Sequence, residues 1–344
     1  MASLPNFVQN RPTAGSGMSI VIVGSEGCLP SGFVGLIDIL SIAQSAITAS
    51  DRGNVPFRIL TGSIDGLPVR DGRGRFLDVD MALQAVSACD AIIVPGFVPD
   101  ESRRPPSLSG LGTTAAWIRH HHAHGTIVCG SCSGVFLLGE AGLLDGRRCT
   151  TTWWLHDEMK RRYPKADAAW GAALVEDRRV VSAGGPLSWI DVALHVVRTL
   201  CGADAARLAA DFAVVDTAPS SQAVYIPPGH LAASDPFVVD AERAVRLAVN
   251  QSLTARELAR QLSTSQRTLH RRLTGATGES PKQFIDRVRF EMARTSLESS
   301  AKSVKQVAAA AGYVDESSFR RNFRRFSGMS PSTYRTWARS RRDK

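Results

Sequence analysis

The stretch SLTARELARQLSTSQRTLHRRLTGATGESPKQFIDRVRFEMARTSL, residues 252–297, followed by SVKQVAAAAGYVDESSFRRNFRRFSGMSPSTYRTW, residues 303–337, decides the reading of the chain. In the first part Thr254 is placed to cap a helix whose apolar side is Leu258, Ala259 and Leu262, since a Thr oxygen can accept from the free N–H groups of a first turn. After Ser263-Thr264-Ser265, Leu269 and Leu273 recur at i, i+4 spacing and predict a second helix. The second part repeats the arrangement. Ser303 caps a helix with Val304, Val307, Ala308 and Ala311; Gly312 turns the chain; Asp315 caps a helix with Phe319, Phe323 and Phe326 inward. Each part reads as helix-turn-helix.

What remains outward on the two second helices is basic or amide-bearing: Arg267, His270, Arg271 and Arg272 in one, Arg320, Arg321, Asn322, Arg324 and Arg325 in the other. Such side chains suit phosphates and guanine edges. The segment from Pro281 to about Leu297 predicts a connecting helix near ~25 Å long at ~1.5 Å per residue. Neighbouring major grooves on one DNA face lie ~34 Å apart, so this strut could set two recognition helices one turn apart. The plainer alternative is a surface helical domain with solvated arginines; two matched modules at this spacing argue against it.

The run Gly312, Tyr313, Asp315, Ser317, Phe319, Arg320, Arg321, Phe323, Arg324, Arg325, Gly328, Pro331 and Tyr334 resembles the motif of AraC/XylS-type transcription regulators. The resemblance covers about a hundred residues. It implies sequence-specific binding to double-stranded promoter DNA through both modules, the first the more base-specific, and a homodimer reading paired half-sites. Arg267, Thr268, His270 and Arg271, with Ser317, Ser318, Arg320, Arg321, Asn322 and Arg324, form the candidate DNA-contacting set. RNA polymerase is a further candidate partner.

Charge is unevenly placed along the 344 residues. From Pro236 onward there are 22 Lys+Arg and 10 Asp+Glu, a net +12; the remainder carries 19 and 22, a net −3. The basic excess thus belongs to the candidate DNA-binding part. No long apolar run or basic amphipathic anchor points to a membrane. Residues 1–17, polar and bearing Pro and Gly, read as a disordered leader without an apolar signal core. Six cysteines, at 28, 89, 129, 132, 149 and 201, are too few and scattered for a secreted disulfide scaffold, and predict a cytoplasmic protein.

From Met18 onward short apolar runs alternate with helical stretches: MSIVIVG, FRILTGS, DAIIVPG and TIVCGS read as strands. That order predicts a doubly wound parallel sheet with helices on both faces and ligands gathering at the strands' carboxyl ends. Within IVCGSCSGVFLLGEAGLLDGRR a strand meets a tight turn at Ser131-Cys132-Ser133-Gly134 and runs directly into an apolar helix. Such a turn holds one side chain over the sheet edge, near helix-start N–H groups that lower a thiol pKa or bind an oxyanion. Cys132 occupies that place; a plainly structural cysteine is the alternative.

Together with Val94-Pro95-Gly96 and Leu143 to Thr151, this elbow resembles the PfpI/ThiJ-like, class I glutamine-amidotransferase-like superfamily, over roughly Met18 to Cys201. The order of such a domain before an AraC-type tail resembles the regulators that combine the two. The resemblance implies a flavodoxin-like sheet and a pocket at Cys132, Ser133, Gly96, Phe97, Thr152 and Trp153. Two departures bear on chemistry. Thr152 stands where the enzymes of that family place a His, and Ser31 and Gly32 stand where they often place a carboxylate. A thiol without base or acid partner has no route for proton transfer in acyl chemistry, and His156 is displaced by one helical turn. The pocket is therefore expected to bind a small-molecule effector without turnover.

Cys129 and Cys132 also form C-G-S-C, a spacing found in redox dithiols, although Cys129 should pack at the end of a buried strand. The run Arg119-His120-His121-His122-Ala123-His124-Gly125 reads as the polar end and glycine cap of a helix rather than as a metal site. No metal or cofactor is expected. Gly184 and Gly185, in VVSAGGPLSWIDVALHVVRTLCG, are placed to border the ligand crevice.

The sequence therefore predicts an α/β sensor at 18–202, a linker at 203–235 with Pro227-Pro228-Gly229 and a boundary near Ser234, and an all-α double helix-turn-helix domain at 236–344. Its rivals are a cysteine-dependent hydrolase or amidase with a DNA-tethering tail, a thiol redox-sensing regulator acting through Cys129 and Cys132, and a nonspecific architectural DNA binder.

Overall fold

Apolar runs buried on both faces build the sheet. In the computed structural model, which describes residues 17–50, 57–99, 107–216, 221–227, 235–248 and 253–342, the chain begins with β1 (Met18–Val23), α1 (Pro30–Ala49) and β2 (Phe57–Ser63). Short strands β3 (Val69–Arg70), β4 (Phe76–Leu77) and β5 (Met81–Ala82) follow, then β6 (Ala91–Val94), α2 (Gly112–Ala123), β7 (Ile127–Ser131) and α3 (Val135–Glu140). Next come β8 (Arg148–Cys149), α4 (His156–Arg162), β9 (Asp167–Ala168), β10 (Leu174–Asp177), β11 (Val180–Ala183), α5 (Trp189–Cys201) and α6 (Ala203–Ala213). Seven strands form one sheet in the order β10-β11-β7-β6-β1-β2-β5. Every neighbouring pair is parallel except β10–β11.

Because side chains alternate along a strand, the sheet has two apolar faces. Ile20, Ile22, Ile93, Cys129 and Val181 share a core with α1, α5 and α6. Val21, Val23, Ile92, Val94, Val128 and Val180 share the other with α2, α3 and α4. The predicted doubly wound sheet is what forms.

Three features depart from the sequence reading. Helix α1 is long and apolar enough to span a membrane by length and composition, so a long apolar run does exist. Phe33, Leu36, Leu40 and Ala43 bury its apolar side in the first core. Secondly, residues 203–213 of the expected linker are helix α6, whose Ala205, Ala206, Ala209 and Ala210 are buried in that same core. Their small side chains let α6 lie against α1 and α5, so this segment belongs to the sensor. Thirdly, β10 and β11 form a hairpin turning at Arg178 and Arg179, with φ of 49° and 62°, a turn that two arginines do not announce. Residues 1–16 of the expected leader, and Pro228, Gly229 and the boundary near Ser234, lie outside the described residues.

The carboxy-terminal part is helical: α7 (Pro236–Leu247), α8 (Ala255–Gln261), α9 (Gln266–Thr277), α10 (Pro281–Ser299), α11 (Val304–Ala310), α12 (Glu316–Ser327) and α13 (Pro331–Arg342). The caps read from sequence form. Thr254 and Glu257 make a reciprocal capping box, as do Ser303 and Gln306, and Asp315 accepts from the Ser318 N–H at 2.7 Å. Gly312 turns the second module with φ of 80°. With 19 residues, α10 is about 28 Å long.

Leu258, Leu269 and Leu273 bury the first module against α7 and the start of α10, with Phe284 and Val288. Val307, Phe319, Phe323 and Tyr334 bury the second against Phe290 and Leu297 of the same helix. Inside α10 Arg287 is fully buried; its Nε donates to both Glu279 oxygens (3.0 and 2.9 Å) and its Nη1 to Glu291 (2.7 Å). Both carboxylates are thus paired inside the protein, while Nη2 of the guanidinium is buried without a hydrogen-bond partner.

Candidate functional site

Helical geometry sorts the outward side chains of α9 and α12. With Leu269 and Leu273 inward, Arg267, His270 and Arg271 are exposed. With Phe319 and Phe323 inward, Ser317, Arg320, Arg321 and Arg324 are exposed. Thr268 and Ser318 are half-buried because each joins its helix cap: the Thr268 N–H donates to Ser265 Oγ (3.1 Å) and the Ser318 N–H to Asp315. Ser318 Oγ in turn accepts from Arg321 at 3.0 Å, and Arg320 is paired with Glu316 at 2.5 Å.

Three residues of the sequence reading turn away from this face. Arg272 lies at the helix edge, 3.7 Å from Asp235 and with its guanidinium 3.9 Å from the Phe237 ring centre, so α7 holds it. Arg325 pairs with Asp286 of α10 at 3.1 Å. Asn322, one position before the buried Phe323, is half-buried with its carbonyl oxygen covered.

The second site is the elbow. Cys132 has φ of 53°, which a side-chain-bearing residue rarely adopts, and it follows β7 with one 3₁₀ turn before α3. A Cβ on Gly134 would overlap the carbonyl oxygens of Val94 and Pro95, so only glycine lets the turn approach β6 this closely. Cys132 is 5 % exposed. Burial pushes its thiol up to about 11, against opposing hydrogen bonds from the Ser133 backbone and hydroxyl and from the Thr152 hydroxyl. Ser133 Oγ accepts from the Phe97 N–H at 2.9 Å, and Thr151 Oγ1 donates to Cys132 O at 2.8 Å.

A cavity of about 80 Å³ opens here, bordered by Leu29, Phe97, Cys132, Ser133, Trp154 and Pro186. Cys132, Ser133 and Phe97 are thus brought together. Gly96 backs the thiol, a Cβ there coming within 3.1 Å of Cys132 Cβ, while Thr152 is wholly buried behind it. Trp154 rather than Trp153 borders the cavity. The Trp153 N–H donates instead to Gln222 Oε1 at 3.0 Å, and the two indoles meet edge to face. Glu26, in the loop after β1, is exposed and accepts from the Arg70 N–H at 2.9 Å.

Cys129 is wholly buried in the core beside Ile93 and Val181, and burial pushes its thiol above the ordinary range. In the histidine run, His122 bonds Arg178 O (3.2 Å), His124 bonds His120 O (2.8 Å), and Gly125 closes the helix with φ of 98°. The expected cap is what these residues build. Among the described residues no group of three or more His, Cys, Asp or Glu side chains converges.

Sequence reasoning missed Gln222. Its carboxamide donates to Thr151 O (3.0 Å) and Ala172 O (2.7 Å), and a Cβ on Gly184 would overlap it. Gly184 therefore serves this side chain rather than an open crevice wall.

Comparison with known proteins follows the same division. Residues 30–199 match the DJ-1/PfpI family and residues 258–336 match the helix-turn-helix domain family. The chain is 28 % identical over 305 residues to the HTH-type transcriptional regulator CdhR of Pseudomonas aeruginosa, covering 88 % of this chain and 86 % of that one. It is 25 % identical over 235 residues to the HTH-type transcriptional regulator GlxA of Rhizobium meliloti, covering 67 % and 72 %. It is also 31 % identical over 152 residues to an isonitrile hydratase of Pseudomonas putida, covering 42 % and 60 %. Two capped helix-turn-helix modules on one strut, behind a sheet with a cysteine elbow, and matches to both families in that order, place the chain among the AraC/XylS-type transcription regulators with an amino-terminal DJ-1/PfpI domain.

Proposed function

We propose that the chain binds promoter DNA by laying α9 and α12 into successive major grooves, and that the cavity at Cys132 admits a small effector without transforming it. Arg267, Thr268, His270 and Arg271 contact the first groove; Ser317, Ser318, Arg320, Arg321 and Arg324 contact the second, with Thr268 and Ser318 at the margins. The observation that carries the reading is the exposure of both arginine-bearing faces while the aromatic and leucine faces are buried. Recognition helices read base edges chiefly with their amino-terminal residues, where Arg267, Ser317 and Arg320 stand. The test is fluorescence anisotropy on a genomic fragment selected by the full-length protein. Arg320→Ala and Arg321→Ala should each weaken binding about tenfold; unchanged affinity in both would end the docking scheme.

The similarity to a hydratase favours a second reading, a cysteine enzyme on the same elbow. Three observations speak for sensing instead. The thiol is held protonated at neutral pH by burial, hydroxyls rather than a histidine or carboxylate oppose that effect, and the nearest early-loop carboxylate, Glu26, is engaged elsewhere. The cavity of about 80 Å³ is smaller than the ~150 Å³ that admits benzene, so the effector is very small or Trp154 moves aside for it. Hydrolytic or hydratase activity that disappears in Cys132→Ala would overturn this part. A homodimer on paired half-sites, contact with RNA polymerase and action in the cytoplasm complete the proposal.

A further inference from the structure

Residues 221–226 are held by both halves of the molecule at once. On the sensor side the Gln222 carboxamide makes three hydrogen bonds: both its N–H donors are used, by Thr151 O and Ala172 O, and its oxygen accepts from the Trp153 N–H. The Gln222 N–H (2.9 Å) and the Ser221 hydroxyl (3.1 Å) both reach Gly171 O. Gln222 is 6 % exposed, so water does not compete for these bonds. On the other side Arg294 of α10 donates to Ala223 O at 2.8 Å and Ile226 O at 2.7 Å. Ala223 and Val224 complete the core of the second module beside Phe290, Phe323 and Tyr334. The first module's core contains no residue of this strap; an open cleft of about 430 Å³ runs beside it, bordered by Trp170, by Gly278 and Glu279, by Ala223 of the strap and by Phe326 of the second module.

We propose that Gln222 is a positioning residue that carries the state of the Cys132 pocket to the second helix-turn-helix module and bypasses the first. The path is Cys132 O to Thr151 Oγ1, Thr151 O to the Gln222 carboxamide, and the strap backbone to Arg294. A buried carboxamide with both donors committed and its oxygen engaged follows its partners or loses bonds. Displacement of residues 151–153 by an occupant therefore shifts Ala223 and Val224, and with them the seat of α12 relative to α9. The inference rests on the reading of the chain as an effector-responsive DNA-binding regulator.

A double-mutant cycle on the full-length protein, with the selected genomic fragment as probe, tests it without needing the effector. Base pairs read by the second module are first identified as those whose substitution ceases to matter in Arg321→Ala. Thr151→Val, which removes the bond to Cys132 O, should change affinity at those positions by about fivefold or more. In a Gln222→Met background, where the side chain keeps its bulk but makes none of the three bonds, the same change should fall below about twofold. Gln222→Glu keeps the acceptor for Trp153 and loses both donors; it repeats the comparison if the Met variant does not fold. Equal effects of Thr151→Val in both backgrounds, or effects spread over the positions of both modules, overturn the inference alone. Indifference of DNA affinity to Arg320→Ala and Arg321→Ala overturns the DNA-binding assignment and this inference with it.

Discussion

A thiol at 5 % exposure is governed by desolvation. At Cys132 burial raises the folded value to about 11 from an ordinary 9.0, so the thiolate fraction near pH 8 should be about a hundredfold lower than in a free cysteine. Alkylation by iodoacetamide, followed by mass spectrometry, should be slower by that factor in the native chain; reaction at the free-thiol rate would show an activated nucleophile. The same shift sets a pH dependence. The unfolded chain ionises first, so the stabilisation is complete below pH 9 and is lost as pH rises through 9 to 11. Urea midpoints should fall across that window, and Cys132→Ala should recover on the order of 2–3 kcal/mol of the loss at its upper end. At this scale the elbow was legible because Gly130 and Gly134 flank a strand-to-helix junction. Gln222 was not, since a single glutamine among unrelated residues carries no periodic signal. The choice of Trp154 over Trp153 depended on a 3₁₀ turn after Thr152, whose phase the sequence leaves open.

Each helix of the carboxy-terminal part is fixed by its own ends and by α10. Ser303 accepts from the Gln306 N–H at 3.2 Å while Gln306 accepts from the Ser303 N–H at 2.8 Å, so Ser303→Ala should cost about 1 kcal/mol in urea denaturation. Arg287 stands differently: its guanidinium is wholly enclosed between Glu279 and Glu291. Arg287→Met strips the buried Glu279 of its ion-pair partner, leaves Glu291 with Arg246 alone, and should cost about 3–5 kcal/mol, far more than the cap. A loss below that of Ser303→Ala would mean that the carboxylates find water. Caps, turns and both modules were readable because they are local: donors and acceptors lie within three or four residues. Helix α6 was not, because an alanine face such as 205, 206, 209 and 210 becomes a packing surface only when α1 is there to meet it. The β10–β11 hairpin was hidden for the opposite reason, its turn residues being two arginines instead of glycine or asparagine.

The sensor and the basic part, with net charges of −3 and +12 around residue 236, are joined through a small set of specific contacts. Lys160 of α4 approaches Gly275 O at 3.5 Å and the Arg287 guanidinium lies 5.3 Å from the Trp170 ring centre. The cleft beside them is bordered by both modules, and the strap crosses between the halves with two buried bonds from Arg294, so the strap is expected to carry most of the docking. Arg294 is 5 % exposed, and its removal strands the carbonyl oxygens of Ala223 and Ile226 in an interior where each unmet acceptor costs about 1–3 kcal/mol. Apart from the strap and Trp170, which packs against the second module's core, the cores of the two halves are separate, so each can persist when the tie is cut. Calorimetry of the intact chain should therefore show one transition. In Arg294→Ala it should split, with the helix-turn-helix region melting first and the sheet domain keeping its original midpoint. A single transition merely shifted downward would place the coupling between the halves in the Trp170 and Lys160 contacts instead of in the strap.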